Sequence, residues 1–196
     1  TDEIDAVSFE EGYAEGKPYL LACYDIRLNP DGTLCEYSKA DKSRQPAGER
    51  WFAYVKTTEE RGWFNGQAYV DTLSDDAMAE FAQITYNAYE KNVGDKFGNS
   101  IHAIFTDEPQ YAKKTVLPFA KEKSVVTLPW TTDFAKTFKD EYGFDIVDSL
   151  PEIVWDLPDK IPSKTRYYYH DHCCERFTRA FSDPLRISSS SRITLL

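Results

Sequence analysis

The sequence predicts an α/β protein built around a strand, a helix and a second strand. Residues 67–73 have a β-branched and aromatic centre, which is typical of a strand. Ser74 and the two aspartates after it form a helix N-cap with an acidic first turn, and Gly94 and Gly98 break the helical pattern. Residues 102–106 are again strand-like. We therefore predict two parallel strands joined by a helix of about five turns.

The predicted helix carries apolar residues at spacings of four, three, four and one. This periodicity places them on one face of an α-helix, which we expect to be buried. The residues are Ala77, Phe81, Ile84, Ala88 and Tyr89.

An antiparallel hairpin layer is predicted to precede this unit. Tyr19–Leu28 is strand-like, residues 29–32 (Asn-Pro-Asp-Gly) are a strong turn signal, and Thr33–Tyr37 is the return strand. Residues 39–49 are polar and predict a loop, and Trp51–Lys56 predicts a further strand of the same layer.

The register of the hairpin decides whether its two cysteines can bond. If the strands are symmetric about the turn, Cys35 lies opposite Ile26 and Cys23 points to the other face. On that register no disulfide forms, although a β-bulge would shift the pairing.

The second half of the chain predicts a loop followed by helices. Residues 112–126 predict a long loop, and Thr131 or Thr132 is expected to cap a helix that ends at Gly143. Short helical turns are predicted over residues 145–162, and a longer helix over residues 165–181. In the last helix His170, Cys173 and Cys174 resemble a metal site only weakly, and packing is the favoured role.

Both strands of the central unit end in acidic residues. Asp71 ends the first strand, and Asp107 and Glu108 end the second. Ligand groups lie just beyond the carboxyl ends of parallel strands, so we expect these carboxyls to converge, with Asp71 and Glu108 within about 10 Å of each other. Pro109 is expected to hold Glu108 in an extended conformation, and Phe105 to provide an apolar wall. A polar strand terminator is the alternative interpretation.

Four blocks carry a resemblance to a known group of enzymes. Trp63–Leu73, Ile104–Gln110, Leu128–Thr131 and Phe138–Asp145 resemble, in order and spacing, large glycoside hydrolases related to the α-L-rhamnosidases. The resemblance spans most of residues 17–185. It implies a partial (β/α)8 barrel, preceded by the hairpin layer, that hydrolyses glycosidic bonds.

The same resemblance implies roles for individual residues. Glu108 is the candidate general acid. From the chemistry of the residues themselves, Asp107 is the second catalytic candidate, because a neighbouring carboxylate favours the protonated form of Glu108 that a general acid needs. Asp71 could be the partner carboxylate, bind a sugar hydroxyl or bind a cation. The related enzymes are described as using calcium, but no ligand set can be assembled from this sequence and no metal ligand is assigned.

Three further residues are candidates for substrate binding. Trp63 and Asn65 stand where a barrel mouth is expected, although an Asn before Gly66 is more often a turn residue, and the turn is favoured. Trp130 precedes a predicted helix at the end of the long loop. It could stack on a sugar or pack over that helix.

Length and charge limit the classes of function. The chain has 196 residues, whereas a complete barrel needs about 250, so we expect a partial catalytic domain with little or no hydrolase activity alone. We predict a β region at residues 1–62, a partial barrel at 63–185 and an irregular tail at 186–196. The formal net charge of -10 argues against a nucleic-acid partner and is compatible with a neutral carbohydrate or glycoside substrate.

The hydropathy pattern argues against a membrane partner. No apolar run approaches the ~20 residues needed to span a bilayer, and no leader precedes Thr1. We expect a soluble, acidic protein, with secretion slightly favoured.

Two other classes of function compete with the glycoside hydrolase. A carbohydrate-binding protein without turnover is compatible with the missing barrel strands. A barrel enzyme of another class, such as a lyase or aldolase, would be favoured by a Schiff-base lysine at a strand end. Lys113 and Lys114 instead fall in the predicted loop.

Overall fold

The fold is described by a computed structural model. It covers residues 19–41, 43, 45–46, 48–56, 60–184 and 194–195. The predictions for residues 1–16 and for most of 186–196 fall outside this part of the chain.

The described chain forms two compact units. Unit 1 contains the described residues up to Tyr69 together with Lys114–His170, and unit 2 contains Val70–Lys113 and the described residues from Asp171 onward. This division follows contacts between residues, and the predicted boundaries after residues 62 and 185 stay a prediction.

The regular elements are short and mostly connected by irregular chain. In chain order they are β1 (Tyr19–Leu28), β2 (Leu34–Lys39), β3 (Glu49–Val55), α1 (Asp75–Val93), β4 (Ala103–Ile104), α2 (Phe134–Tyr142), α3 (Pro151–Val154), α4 (Lys164–Phe177) and β5 (Thr194–Leu195). No helix or strand lies between Ile104 and Phe134 in this described segment, which confirms the loop predicted over residues 112–126.

The predicted hairpin layer is confirmed as an antiparallel sheet in the order β2-β1-β3. Its turn forms because Gly32 adopts φ +88°, which favours glycine, and the Gly32 N–H donates to the Asn29 carbonyl at 3.0 Å. Strand β1 is the middle strand, so both of its edges are paired.

The predicted register of the hairpin is wrong, and a β-bulge adds to the shift. Ile26 pairs with Tyr37, and the register shifts so that Leu28 pairs with Leu34, which makes Cys35 the extra residue. Cys23 is buried and Cys35 is exposed. Both cysteines are free thiols in the structure.

The helices of unit 1 pack aromatic side chains into its core. Phe134 and Phe138 of α2 are completely buried, and Gly143 ends the helix at φ +78° as predicted. Capping by a threonine side chain is wrong: the N-cap is Asp133, which makes no side-chain cap bond. The short turns predicted over residues 145–162 are confirmed as two 3₁₀ turns and the four-residue α3.

In unit 2 the predicted helix is confirmed as α1. The Ser74 hydroxyl accepts a hydrogen bond from the Ala77 N–H at 3.3 Å, and the helix runs for 19 residues. Its buried face differs from the predicted stripe, because Met78 is 1% exposed whereas Ile84 and Tyr89 are 64% and 51% exposed. Met78 packs with Ala180 and Phe181.

The predicted fold class is wrong, because residues 67–73 form no strand. Gln67 makes only an isolated bridge to Arg61, and Leu73 donates its N–H to the Asp71 carboxylate, which bends the chain into a turn. Strand β4 pairs in parallel with β5 instead. The described chain holds four helices and a three-stranded antiparallel sheet, with no evidence of a barrel.

No helix in the described ranges combines the length and apolar character needed to cross a membrane.

A glycine in unit 1 provides a test of the sheet packing. A methyl group at Gly48 would lie 2.4 Å from the Ile26 carbonyl oxygen, whereas one at Gly62 would meet nothing within 4 Å. We expect Gly48→Ala to lower the free energy of unfolding by about 1–3 kcal/mol, because strand β1 must shift. Chemical denaturation measures this. Gly62→Ala is the matched control, and equal stabilities of the two variants would contradict the packing.

A second prediction concerns Tyr24, whose hydroxyl donates to the Val147 carbonyl. Burial, followed by the nearby Asp148 and Asp145 carboxylates, raises the pKa of Tyr24 above its ordinary value of 10.0. The unfolded chain therefore loses this proton at a lower pH than the folded chain, so stability is lost as the pH rises above 10.

We expect Tyr24→Phe to be less stable than the wild type at pH 8 but to lose less stability between pH 10 and pH 11. The difference in slope should approach ~1.4 kcal/mol per pH unit. Urea denaturation at several pH values measures it, and parallel pH profiles would refute the role of Tyr24.

Candidate functional site

The two acid-bearing segments meet in unit 2. The Thr72 hydroxyl, which is buried, donates a hydrogen bond to the Gln110 carbonyl at 2.6 Å. Asp71 immediately precedes Thr72, and Asp107 and Glu108 lie two to three residues before Gln110. The predicted reason for this proximity, adjacent parallel strands, is wrong, because Asp71 lies in a turn. The separation of the Asp71 and Glu108 carboxyls stays a prediction.

The turn around Asp71 uses both its side chain and its backbone. One carboxylate oxygen accepts from the Leu73 N–H at 3.0 Å, and the Asp71 carbonyl accepts from the Ser74 N–H at 3.1 Å. An aspartate that bonds the backbone two residues ahead stabilises a turn before a helix. Asp71 is exposed and held at the start of α1.

Glu108 has an unusual backbone conformation. Its φ is +37°, so the extended conformation expected before Pro109 is wrong. A non-glycine residue in this region costs on the order of 1–3 kcal/mol, and such strain often accompanies functional sites. Glu108 and Asp107 are exposed, and Phe105 is 72% exposed, so the expected apolar wall does not bury the acid.

Arg176 is a residue of this site that the sequence analysis missed. It is only 2% exposed, and its Nε donates to the Leu73 carbonyl at 2.9 Å. A buried charge is costly unless it is hydrogen-bonded, so this contact fixes the turn that carries Asp71. Helical spacing could have identified it, because Arg176 lies three residues after Cys173 in the predicted helix and both side chains are buried.

The aromatic and amide candidates belong to unit 1. Trp63 is 91% exposed in a 3₁₀ turn, and Asn65 ends that turn in the left-handed conformation at φ +57°, so the favoured interpretation of Asn65 as a turn residue is confirmed. The ring centroids of Trp130 and Phe134 are 4.6 Å apart, so Trp130 packs against the helix that follows it, which was one of its two expected roles. Contact of these residues with a substrate stays a prediction.

Lys114 lies in the irregular segment, as predicted, and contacts His170. Its Nζ is 3.1 Å from the His170 Nε2. Burial, followed by the positive charges of Lys114 and Arg166, lowers the pKa of His170. His170 is therefore held in its neutral form near neutral pH, which suits a hydrogen-bond acceptor for the lysine.

No group of three or more His, Cys, Asp or Glu side chains that could hold a metal ion occurs in the described part of the chain. The calcium implied by the resemblance thus has no ligand set among these residues.

No protein-family model, curated protein or solved structure matches this chain. The functional assignment therefore depends on the residues and contacts described above.

The Thr72 hydrogen bond gives a testable prediction for this site. Thr72→Val keeps the side-chain shape but removes the donor to Gln110, and it should lower the free energy of unfolding by about 0.5–1.5 kcal/mol. Faster hydrogen exchange of the backbone amides in residues 105–111 should accompany the loss. Thr72→Ser, which keeps the hydroxyl, is the control. Unchanged exchange in Thr72→Val would show that this bond does not hold the segment.

Proposed function

We propose that this chain is part of a glycoside hydrolase related to the α-L-rhamnosidases, with Glu108 as the proton donor. The observation that carries the proposal is the Thr72–Gln110 hydrogen bond, which ties a turn bearing Asp71 to the segment bearing Asp107 and Glu108. The net charge of -10 is compatible with a neutral glycoside as substrate.

Hydrolysis of a glycosidic bond needs two carboxyl groups on opposite sides of the bond. One protonates the leaving oxygen, and the other activates a water molecule or attacks the anomeric carbon. In this proposal Glu108 is the donor, and Asp71, on the facing segment, is the partner. Asp107 is adjacent in sequence to Glu108 and contributes negative charge beside it.

Backbone strain also supports an active role for Glu108. Its positive φ is retained although Pro109 follows it, so the surrounding chain holds the backbone of this residue in a strained conformation. A carboxyl that is oriented in advance needs less reorganisation when the substrate binds.

The exposure of Glu108 favours a second candidate, carbohydrate binding without turnover. Catalytic acids normally work in sites from which water is excluded, because electrostatic interactions are stronger there. A binding protein has no such requirement, and the same acids can hold sugar hydroxyls by hydrogen bonds.

The test is the hydrolysis of α-L-rhamnosides and other glycosides by a full-length version of the protein, as the wild type and as the Glu108→Gln variant. We expect Glu108→Gln to lower kcat by about 10²–10⁴ for alkyl glycosides, which need a proton on the leaving oxygen. The loss should be much smaller for nitrophenyl glycosides, whose leaving group needs little protonation. Substrate binding, measured by calorimetry, should be preserved.

Glu80→Gln is the matched control, because Glu80 is also an exposed glutamate of unit 2. It should leave turnover unchanged. Equal losses for both leaving groups would mean that Glu108 is not the proton donor. Binding of a glycoside without any turnover by the wild type would favour the second candidate.

A further inference from the structure

Unit 1 contains a cavity that the acidic site does not use. Its volume is about 360 Å³, which is within the range of about 300–1,000 Å³ typical of small-molecule sites. Four segments form its walls: strand β1, strand β3, the irregular segment around residues 123–128, and the region of α3.

The lining of this cavity is mainly apolar and aromatic. Trp51 and Trp155 meet edge to face, with their ring centroids 4.9 Å apart, and Trp155 is almost completely buried. Ile26 and Leu150 are also buried residues of the lining, and Val125 is 45% exposed. A flat hydrophobic group would therefore find aromatic surface in this cavity.

The polar groups in the lining are engaged with the protein itself. The Trp155 indole N–H donates to the Ala120 carbonyl at 2.8 Å, and the Tyr24 hydroxyl donates to the Val147 carbonyl. The Arg50 guanidinium pairs with Asp25 at 2.9 Å, with only 12% and 11% of the two side chains exposed. A sugar requires several hydrogen-bond partners, so this lining suits it less well than an apolar ligand.

The exposed charges of the lining form a pair. Lys123 and Glu49 are 3.3 Å apart, so they largely cancel and favour neither an anion nor a cation. We propose that this cavity is a binding site for an uncharged, planar aromatic small molecule. The assignment is independent of the glycoside hydrolase proposal, because all of its residues differ from the acidic site of unit 2.

The test uses N-phenyl-1-naphthylamine, an uncharged aromatic dye whose fluorescence rises in apolar surroundings. We expect saturable binding of one dye per chain. Val125→Trp, which places a large side chain in the lining of the cavity, should weaken binding on the order of tenfold or more, equivalent to about 1.4 kcal/mol or more. Val116→Trp is the matched control, because Val116 is 72% exposed in the same irregular segment and outside the lining.

A measurement without a cavity mutation guards against misfolding of Val125→Trp. In the wild type, the dye should shift the NMR signals of the Trp51 and Trp155 indole N–H groups and leave that of Trp63, which is 91% exposed, unchanged. Absence of saturable binding, equal binding by the two valine variants, or a shift confined to Trp63 would overturn the proposal.

Discussion

Strand β1 is the constraint on which unit 1 depends, because it is the middle strand of the sheet and both of its edges are paired. Its Asp25 pairs with Arg50 of β3, and its Tyr24 hydroxyl reaches the Val147 carbonyl more than a hundred residues later. A slip of one residue would turn Tyr24 to the opposite face of the sheet. The register of β1 therefore determines where the helical region around Val147 attaches.

Unit 2 depends on a different interaction, the buried guanidinium of Arg176. A charge removed from water is stabilised only when its donors are satisfied, and the Leu73 carbonyl accepts one of them at 2.9 Å. The same turn carries Asp71, whose carboxylate caps the Leu73 N–H at 3.0 Å. The buried Arg176–Leu73 contact therefore holds the backbone next to Asp71, which gives this exposed acid a defined position although it lies in a turn.

The features that the sequence predicted correctly are set by local chemistry. The Asn-Pro-Asp-Gly turn, the Ser74 cap and the glycine at the end of α2 depend on residues within a few positions of one another. A strand at residues 67–73 would form only if a neighbouring strand paired with it. Instead the Asp71 carboxylate accepts a hydrogen bond from the Leu73 N–H, which stabilises a turn at this point.

The bulge at Cys35 also could not be predicted from neighbouring residues, because its position is set by how strand β2 pairs along strand β1. Within the candidate site, the acids themselves were evident from the sequence. The Thr72–Gln110 bond that brings their segments together, and the buried Arg176, are tertiary contacts without a local signal strong enough to predict them.

Proton transfer from a carboxyl depends on the position of that carboxyl and on the exclusion of water from it, and the structure bears on each of these separately. The Thr72–Gln110 bond links the turn that bears Asp71 to the segment that bears Glu108, and the backbone of Glu108 keeps a positive φ before Pro109. Exclusion of water is not provided by Phe105, which is largely exposed. In the proposed reaction the sugar itself would have to displace water from the carboxyls, because electrostatic stabilisation strengthens as the local dielectric constant falls. Binding and proton transfer would then be coupled, since the proton donor becomes effective only when the substrate covers it.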